Sequence, residues 1–267
     1  MHYPGLDPCR VRIRGLSHVY SNAGRQVEAV RDINLDILDG EIVCIVGPSG
    51  CGKSSLLSLI AGFERPHQGE ILVHGHPAGS PGPDRVVVFQ DLGLFPWLTA
   101  RGNVEFGLKV RGVRKEDRRE VAERFMHMVH LGKFMDSLVH ELSGGMRQRV
   151  ALARSLALNP DILLMDEPFT ALDAQTRDYL HLELQEIWDK TRKTILFVTH
   201  NVREAATLGH RVIVMTAHPG RIKKEFKVDL PRPRHIEDPG LIEIARSIME
   251  ELRGEVATVM KEEMKNE

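Results

Sequence analysis

The residues with the most chemistry to offer lie at positions 47–54. Gly47-Pro48-Ser49-Gly50-Cys51-Gly52-Lys53-Ser54 fits the spacing G-x-x-x-x-G-K-[ST]. Glycines so spaced let the backbone curl until its N–H groups converge on phosphate oxygens at a helix N-terminus. Lys53 then reaches the β- and γ-phosphates of a nucleotide, and the Ser54 hydroxyl binds Mg²⁺. Further along, the apolar run Ile162-Leu163-Leu164-Met165 ends in Asp166-Glu167. A carboxylate at the carboxyl end of a buried parallel strand stands where open α/β sheets bind ligands. Asp166 there holds Mg²⁺ through water, and Glu167 polarises the water that attacks a γ-phosphate. Without the Gly-rich loop the same pair would read as a helix cap or a solvated turn. In Leu142-Ser143-Gly144-Gly145-Met146, Ser143 is a helix N-cap and the glycines bare backbone N–H groups, a second anion-binding helix start. Taken alone, that pattern describes a well-capped helix.

These residues need a scaffold, and the hydrophobic pattern supplies one. Glu41-Ile42-Val43-Cys44-Ile45-Val46 reads as a strand buried on both faces, feeding the Gly-rich loop and then a helix at 54–61 that Gly62 closes. Val86-Val87-Val88-Phe89 is a further buried strand. Strand-like runs return at 162–165, 194–198 and 211–215, separated by helical stretches at 174–190 and 202–208. Strands alternating with helices predict a mostly parallel sheet with helices on both faces. Ahead of this core, Val11-Arg12-Ile13-Arg14 and Ile33-Asn34-Leu35-Asp36-Ile37 alternate with period 2, as half-exposed antiparallel strands joined by a turn within 21–25. Residues 71–83 are turn-rich. Residues 103–158 have helical spacing and abundant charge, so they form a helical insertion in the α/β core. After Pro231-Arg232-Pro233-Arg234, one apolar helix face gathers Leu241, Ile244, Ile248, Leu252, Val256, Val259 and Met260. Packing on the core is its default use; dimer extension and regulation are the alternatives.

Composition narrows the class. The 267 residues carry 36 Lys+Arg against 37 Asp+Glu, with 42% hydrophobic residues. That balance excludes long-range disorder and disfavours a dedicated nucleic-acid binder. Cys9, Cys44 and Cys51 are too few for a disulfide framework or a four-ligand zinc site, so cytosolic residence is the natural reading. The N-terminal residues have no basic-then-apolar signal pattern, and no apolar run approaches the ~20 residues of a membrane helix. His74 and His76 flank a glycine and form a weak metal signal. Cys51 sits where an alkylating reagent would block a nucleotide.

Leu-Ser-Gly-Gly-Met between a phosphate loop and an Asp-Glu strand end resembles the signature of the ABC transporter ATPase family. The resemblance implies further roles. Gln90, after Val86-Val87-Val88-Phe89, matches the Q-loop glutamine that contacts Mg²⁺ and the attacking water. Ala171-Leu172-Asp173 matches the D-loop, and His200 after Ile195-Leu196-Phe197-Val198-Thr199 matches the switch histidine on the γ-phosphate. Tyr20 lies where the family stacks an aromatic ring on adenine; it also fits an ordinary strand aromatic. Ser55 joins Gly47–Ser54 among the nucleotide contacts. The resemblance implies a P-loop ABC ATPase core with an N-terminal antiparallel β-subdomain and a helical signature subdomain at about 91–158. The ATPase domain covers 10–232 and a helical tail 233–267. Two copies meet head to tail, so Ser143 and Gly145 serve the ATP bound to the opposite chain, and Gly144 and Asp173 count among the nucleotide-binding residues. With no membrane span of its own, such a chain works at the cytoplasmic face of a membrane with separate permease subunits. Pro81-Gly82-Pro83-Asp84-Arg85, Leu94-Phe95-Pro96-Trp97-Leu98-Thr99, His218-Pro219-Gly220-Arg221-Ile222 and Leu230-Pro231-Arg232-Pro233-Arg234 are similar to the nitrate/sulfonate/taurine importer branch. That branch adds an extracytoplasmic binding protein as an indirect partner and places Phe95, Pro96 and Trp97 near the permease groove. An exporter ATPase or a cofactor-assembly protein is the alternative, and a soluble ribosome- or DNA-acting machine a more distant one.

Overall fold

The computed structural model describes residues 9–22 and 25–266. In chain order they form β1 (Cys9–Asn22), β2 (Arg25–Leu38), β3 (Ile42–Val46), α1 (Lys53–Ala61), β4 (Gln68–Val73), β5 (His76–Pro77) and β6 (Arg85–Val88). Then come α2 (Ala100–Val110), α3 (Lys115–Met128), α4 (Gly144–Ala157), β7 (Ile162–Asp166), α5 (Ala174–Thr191) and β8 (Thr194–Thr199). The last elements are α6 (Val202–Leu208), β9 (Arg211–Met215), β10 (Ile222–Lys227) and α7 (Pro239–Asn266). Short 3₁₀ turns at Gly132–Phe134 and Val139–Glu141 link α3 to α4. The chain divides into two units, Met1–Gly82 with Arg192–Glu267, and Pro83–Thr191.

In the first unit, an antiparallel sheet runs in the order β2-β1-β4-β5. Val11 and Ile13 are fully buried along β1 while Arg14 is exposed, the period-2 pattern of a sheet with one wet face; Leu16, also fully buried, follows a register shift. The β1–β2 connection expected within 21–25 includes residues 23 and 24, which lie outside the described residues. The same unit holds β10-β9-β3-β8, where β3 is parallel to both β8 and β9. All of β3 and β8 is buried, as the unbroken apolar runs required.

Three strands were not foreseen in this unit: β4, β10 and the two-residue β5, which pairs with β4 inside the stretch read as turns. β4 begins at Gln68 and overlaps the stretch read as turns; only Ile71 and Val73 are deeply buried in it. Its polar first half hid the alternation. β10 pairs antiparallel with β9 but is intermediate or exposed throughout, so it carries no apolar signal.

α7 packs on α6 and touches β9 and β10, burying Leu241, Ala245 and Ile248. The side chains of Val256, Val259 and Met260, expected on the same face, lie outside the described residues. Arg234, only 2% exposed, is the anchor ahead of this helix. Its guanidinium donates to the carbonyls of Ala206 and Gly209 at the end of α6 and to those of Val228 and Leu230. Arg232 adds a bond to Leu208 O. The last carbonyls of a helix have no partner within it, and two arginines here satisfy them with charge-assisted bonds that also suit the negative dipole end.

In the second unit, β6 and β7 run parallel, and α2, α3 and α4 pack on one another. Phe89 and Gln90 follow the strand rather than ending it, since β6 stops at Val88. Thr99 caps α2 by accepting from Gly102 N. α5 lies against α4. Between them Arg149 Nε stands 3.0 Å from Oε2 of the buried Glu183.

Candidate functional site

Register delivers the site residues in pairs. β3 and β8 are aligned so that Val46 sits opposite Thr199. The phosphate loop leaves β3 at Gly47 and His200 leaves β8, so the first unit presents both at neighbouring strand ends, the ligand-binding edge of such sheets. In the second unit Val88 pairs with Met165. Gln90 and the Asp166-Glu167 pair therefore emerge side by side from β6 and β7.

The loop is built around its glycines. Gly52 is the N-cap of α1 with φ +89°, a left-handed conformation, and a Cβ there would lie 2.5 Å from Ala29 O. Lys53 Nζ donates to the carbonyls of Gly47 and Pro48, both at 3.0 Å, which holds the ammonium over the curl. Ser49, Gly50 and Ser54 are exposed, leaving the mouth open to solvent. Cys51 is a correction to the sequence reading. It is 1% exposed and burial pushes its thiol up, so it is poorly placed to meet an alkylating reagent.

A segment absent from the motif argument braces this loop. Gly220 N donates to Ala29 O and Gly220 O accepts from Arg31 N. A Cβ on Gly220 would lie 2.0 Å from Cys51 O, so only glycine allows the two segments to approach this closely. The imidazole of His218 stands beside Gly50. Glu255 of α7 accepts from Ala217 N at 2.9 Å and pairs with Lys223 at 2.9 Å. The motif His218-Pro219-Gly220-Arg221-Ile222, read first as a mark of lineage, thus packs behind the phosphate loop.

Thr199 and Asn201 fix the backbone around His200. Thr199 Oγ1 donates to Glu204 and accepts from Asn201 N, while Asn201 Oδ1 caps α6 through Arg203 N and Glu204 N. In the second unit, Glu167 adopts a left-handed backbone, φ +45°, uncommon for a side chain of this kind and frequent where geometry serves function. Thr170 Oγ1 donates to its carboxylate at 3.3 Å.

Ser143 caps α4 by accepting from Met146 N at 3.3 Å, and Gly144 and Gly145 open the helix as the sequence implied. Gly145 lies against Thr176 and Gly144 beside Leu172. Asp173 caps α5 through Thr176 N, a bond that holds its carboxyl below the usual range. The signature and Asp173 are therefore neighbours in one unit.

Tyr20, on β1, is 36% exposed, and its phenol is raised by partial burial. Trp97 is 72% exposed, with Phe95 between it and Phe106 at centroid distances of 5.5 and 4.3 Å. Asn103, fully buried, clamps this turn: Phe95 N donates to its Oδ1 at 2.8 Å, and its Nδ2 donates to Phe95 O and Thr99 O. Nothing in the sequence singled out Asn103, since a lone amide in a helix has no spacing signature. Among the described residues no cluster of metal-ligating side chains forms around His74 and His76, and His74 Nδ1 faces Arg10 at 2.7 Å.

A phosphate loop and an acidic strand end, both at the carboxyl edges of parallel strands, define an α/β nucleotide hydrolase of the P-loop class. Residues 30–170 match the ABC transporter family, and the chain belongs to it. It is an ATP-binding subunit and an ATP hydrolase coupled to transmembrane transport. An uncharacterised ABC transporter ATP-binding protein of Methanocaldococcus jannaschii is 47% identical over 94% of each chain. The nitrate import ATP-binding protein NrtD of Synechocystis is 48% identical over 83% of each. The taurine import ATP-binding protein TauB of Roseobacter denitrificans is 46% identical over 77% of this chain and 76% of its own. A dimeric ATP-binding cassette solved after hydrolysis with ADP and phosphate superposes with a TM-score of 0.72 at 33% identity, covering 83% of this chain and all of that one. Among the described residues no helix is long and apolar enough to cross a membrane.

Proposed function

We propose that this chain powers uptake of a small oxyanion or sulfonate through separate membrane subunits, working at the cytoplasmic face of the membrane. The observation that carries the import reading is the similarity to nitrate and taurine import ATP-binding proteins over three quarters or more of the chain. Residues 10–232 form the ATPase domain and 233–267 a helical tail.

The chemistry follows from the residues. Tyr20 stacks on adenine. Residues 47–55 hold the phosphates, with backbone N–H groups of the loop and Lys53 facing the β- and γ-oxygens. Glu167 orients and polarises the attacking water, and His200 and Gln90 hold the γ-phosphate and that water in line. Ser54, Gln90 and Asp166 offer the oxygen donors that Mg²⁺ takes, and when bound the ion supplies neutralising charge to the phosphates. Ser143 and Gly145 cannot serve their own chain's phosphate loop in a head-to-tail pair; they bind the γ-phosphate held by a second copy, with Asp173 beside them. Closure on ATP and opening after hydrolysis move the exposed Phe95-Pro96-Trp97 turn, which meets the permease. The solvent-facing Trp97 and Phe106, joined through Phe95, support that docking role, because contiguous exposed apolar groups mark interaction sites.

The test uses the full chain with Glu167→Gln, loaded with ATP and Mg²⁺, as bait in detergent-solubilised native membranes. Recovery of a polytopic membrane protein together with an exported binding protein supports import, and that binding protein is then titrated with taurine, alkanesulfonates and nitrate. A permease without a binding protein points to export, and ribosomes or nucleic acid would remove the transport reading.

A further inference from the structure

The last helix reaches the phosphate loop through one intermediate layer, the connection from β9 to β10. That connection meets the loop at three points. A Cβ on Gly47 would stand 3.3 Å from Met215, one on Gly50 would stand 3.2 Å from His218 Nε2, and Gly220 is pressed against Cys51 O. The beginning, middle and second half of the curl therefore share one backing. It is stiff within itself. Thr216 N donates to Arg221 O and Thr216 Oγ1 accepts from Arg221 N, both at 2.9 Å, while the same hydroxyl donates to Pro219 O at 3.0 Å.

α7 fastens this layer. Glu255 Oε2 accepts from Ala217 N at 2.9 Å, and Glu255 Oε1 pairs with Lys223 Nζ at 2.9 Å. Lys223 Nζ also donates to Glu251 O at 2.7 Å, and Lys224 pairs with the Glu251 carboxylate at 2.7 Å. A carboxylate on a backbone N–H is a charge-assisted bond, stronger than a neutral one. Ala217 is only 6% exposed, so its N–H has little water to turn to when that carboxylate is removed. A buried donor without a partner is costly, and the chain escapes the cost by moving residues 216–222. Packing as close as that of Gly220 on Cys51 leaves no slack, so the movement passes to the phosphate loop.

We propose that Glu255 is a positioning residue for phosphate binding: through it, α7 holds residues 216–222 in the shape that keeps the loop curled. The tail thereby sets nucleotide affinity from behind the site. A chain whose α7 has let go populates the curled loop less often, and its apparent dissociation constant rises by the inverse of that population. The inference rests on the reading of residues 47–55 as the phosphate holder.

Calorimetry on the full chain with Mg²⁺ measures the affinities of ADP and of inorganic pyrophosphate. Glu255→Leu weakens both by the same factor, roughly three- to tenfold. Glu255→Gln, whose amide oxygen still accepts from Ala217 N, recovers most of the loss, since a partly exposed ion pair such as that with Lys223 adds little. Gly220→Ala also weakens both ligands, and adding Glu255→Leu to it lowers affinity by less than about twofold more, because the two residues act through one loop. Lys53→Ala is the reference variant. If it binds pyrophosphate as the wild type does, the phosphate-holder reading falls. If Lys53→Ala loses affinity while Glu255→Leu keeps the wild-type value, that reading stands and the positioning proposal is overturned. Failure of Glu255→Gln to recover affinity overturns it, and so does full additivity with Gly220→Ala, which places the two residues on separate routes. A fall in the fraction of chain able to bind, with the affinity of the remainder unchanged, overturns it as well, because loss of fold alone produces that result.

Discussion

Glu167 combines a strained backbone with a carboxylate placed one residue past a buried strand. If it polarises the attacking water, Glu167→Gln lowers kcat by a factor of about 10² or more while ADP affinity stays at the wild-type value. Steady-state ATPase beside equilibrium binding checks both halves. Gly220 makes a different kind of prediction, because it lies outside every nucleotide motif. A Cβ at 2.0 Å from Cys51 O cannot be accommodated without moving the phosphate loop. Gly220→Ala is expected to weaken ADP binding about tenfold, with Lys53 and Ser54 untouched. Titration of the variant with ADP reads this directly, and wild-type affinity would mean that the brace yields instead of the loop. At this scale the sequence was highly legible. Lys53, Ser54, Asp166 and Glu167 stand out because phosphate chemistry demands particular types at particular spacings. Asn103 does not, because its work depends on contacts with Phe95 and Thr99 that a lone amide in a helix does not announce.

Elements were legible where burial is two-sided. β3, β7 and β8 are largely apolar runs, and α6 spans Val202–Leu208 as the sequence reading placed it, with Asn201 as its N-cap. β4 and β10 were missed because each exposes much of its length, and pairing rather than burial defines it. The contact between α4 and α5 was equally invisible, and it carries a charge problem. Glu183 is buried, and neither of its oxygens has a hydrogen-bond donor among the described residues. Burial therefore outweighs the attraction of Arg149 and, with some repulsion from Glu186, pushes the carboxyl up to about 7. A folded-state value above the unfolded one means that the folded chain holds the proton more tightly. The associated stability is fully present below about pH 4.5 and is lost as pH rises through 7, on the order of 3 kcal/mol in all. Denaturant midpoints across that range should fall less steeply in Glu183→Gln than in the parent. Parallel curves would show that the ion pair with Arg149 already keeps the carboxylate charged.

For the whole molecule, folding and nucleotide binding are linked, since the phosphate loop, its brace and β3 exist only in the folded chain. ADP at about a hundred times its dissociation constant adds roughly 2.7 kcal/mol, worth several degrees in the unfolding midpoint. Wild type and Glu167→Gln should show the same shift and Lys53→Ala a much smaller one, by thermal scan at fixed Mg²⁺. The overall charge balance and the order of motifs announced the class of molecule from the sequence, but not what the last helix does. Glu255 holds Ala217 N–H and the Lys223 ammonium, one loop away from Cys51. In evolutionary terms, this makes the tail and residues 216–223 a single heritable part. A lineage that exchanges its final helix for another must carry the loop with it, or acquire a new carboxylate at the same place, before the phosphate loop regains its backing.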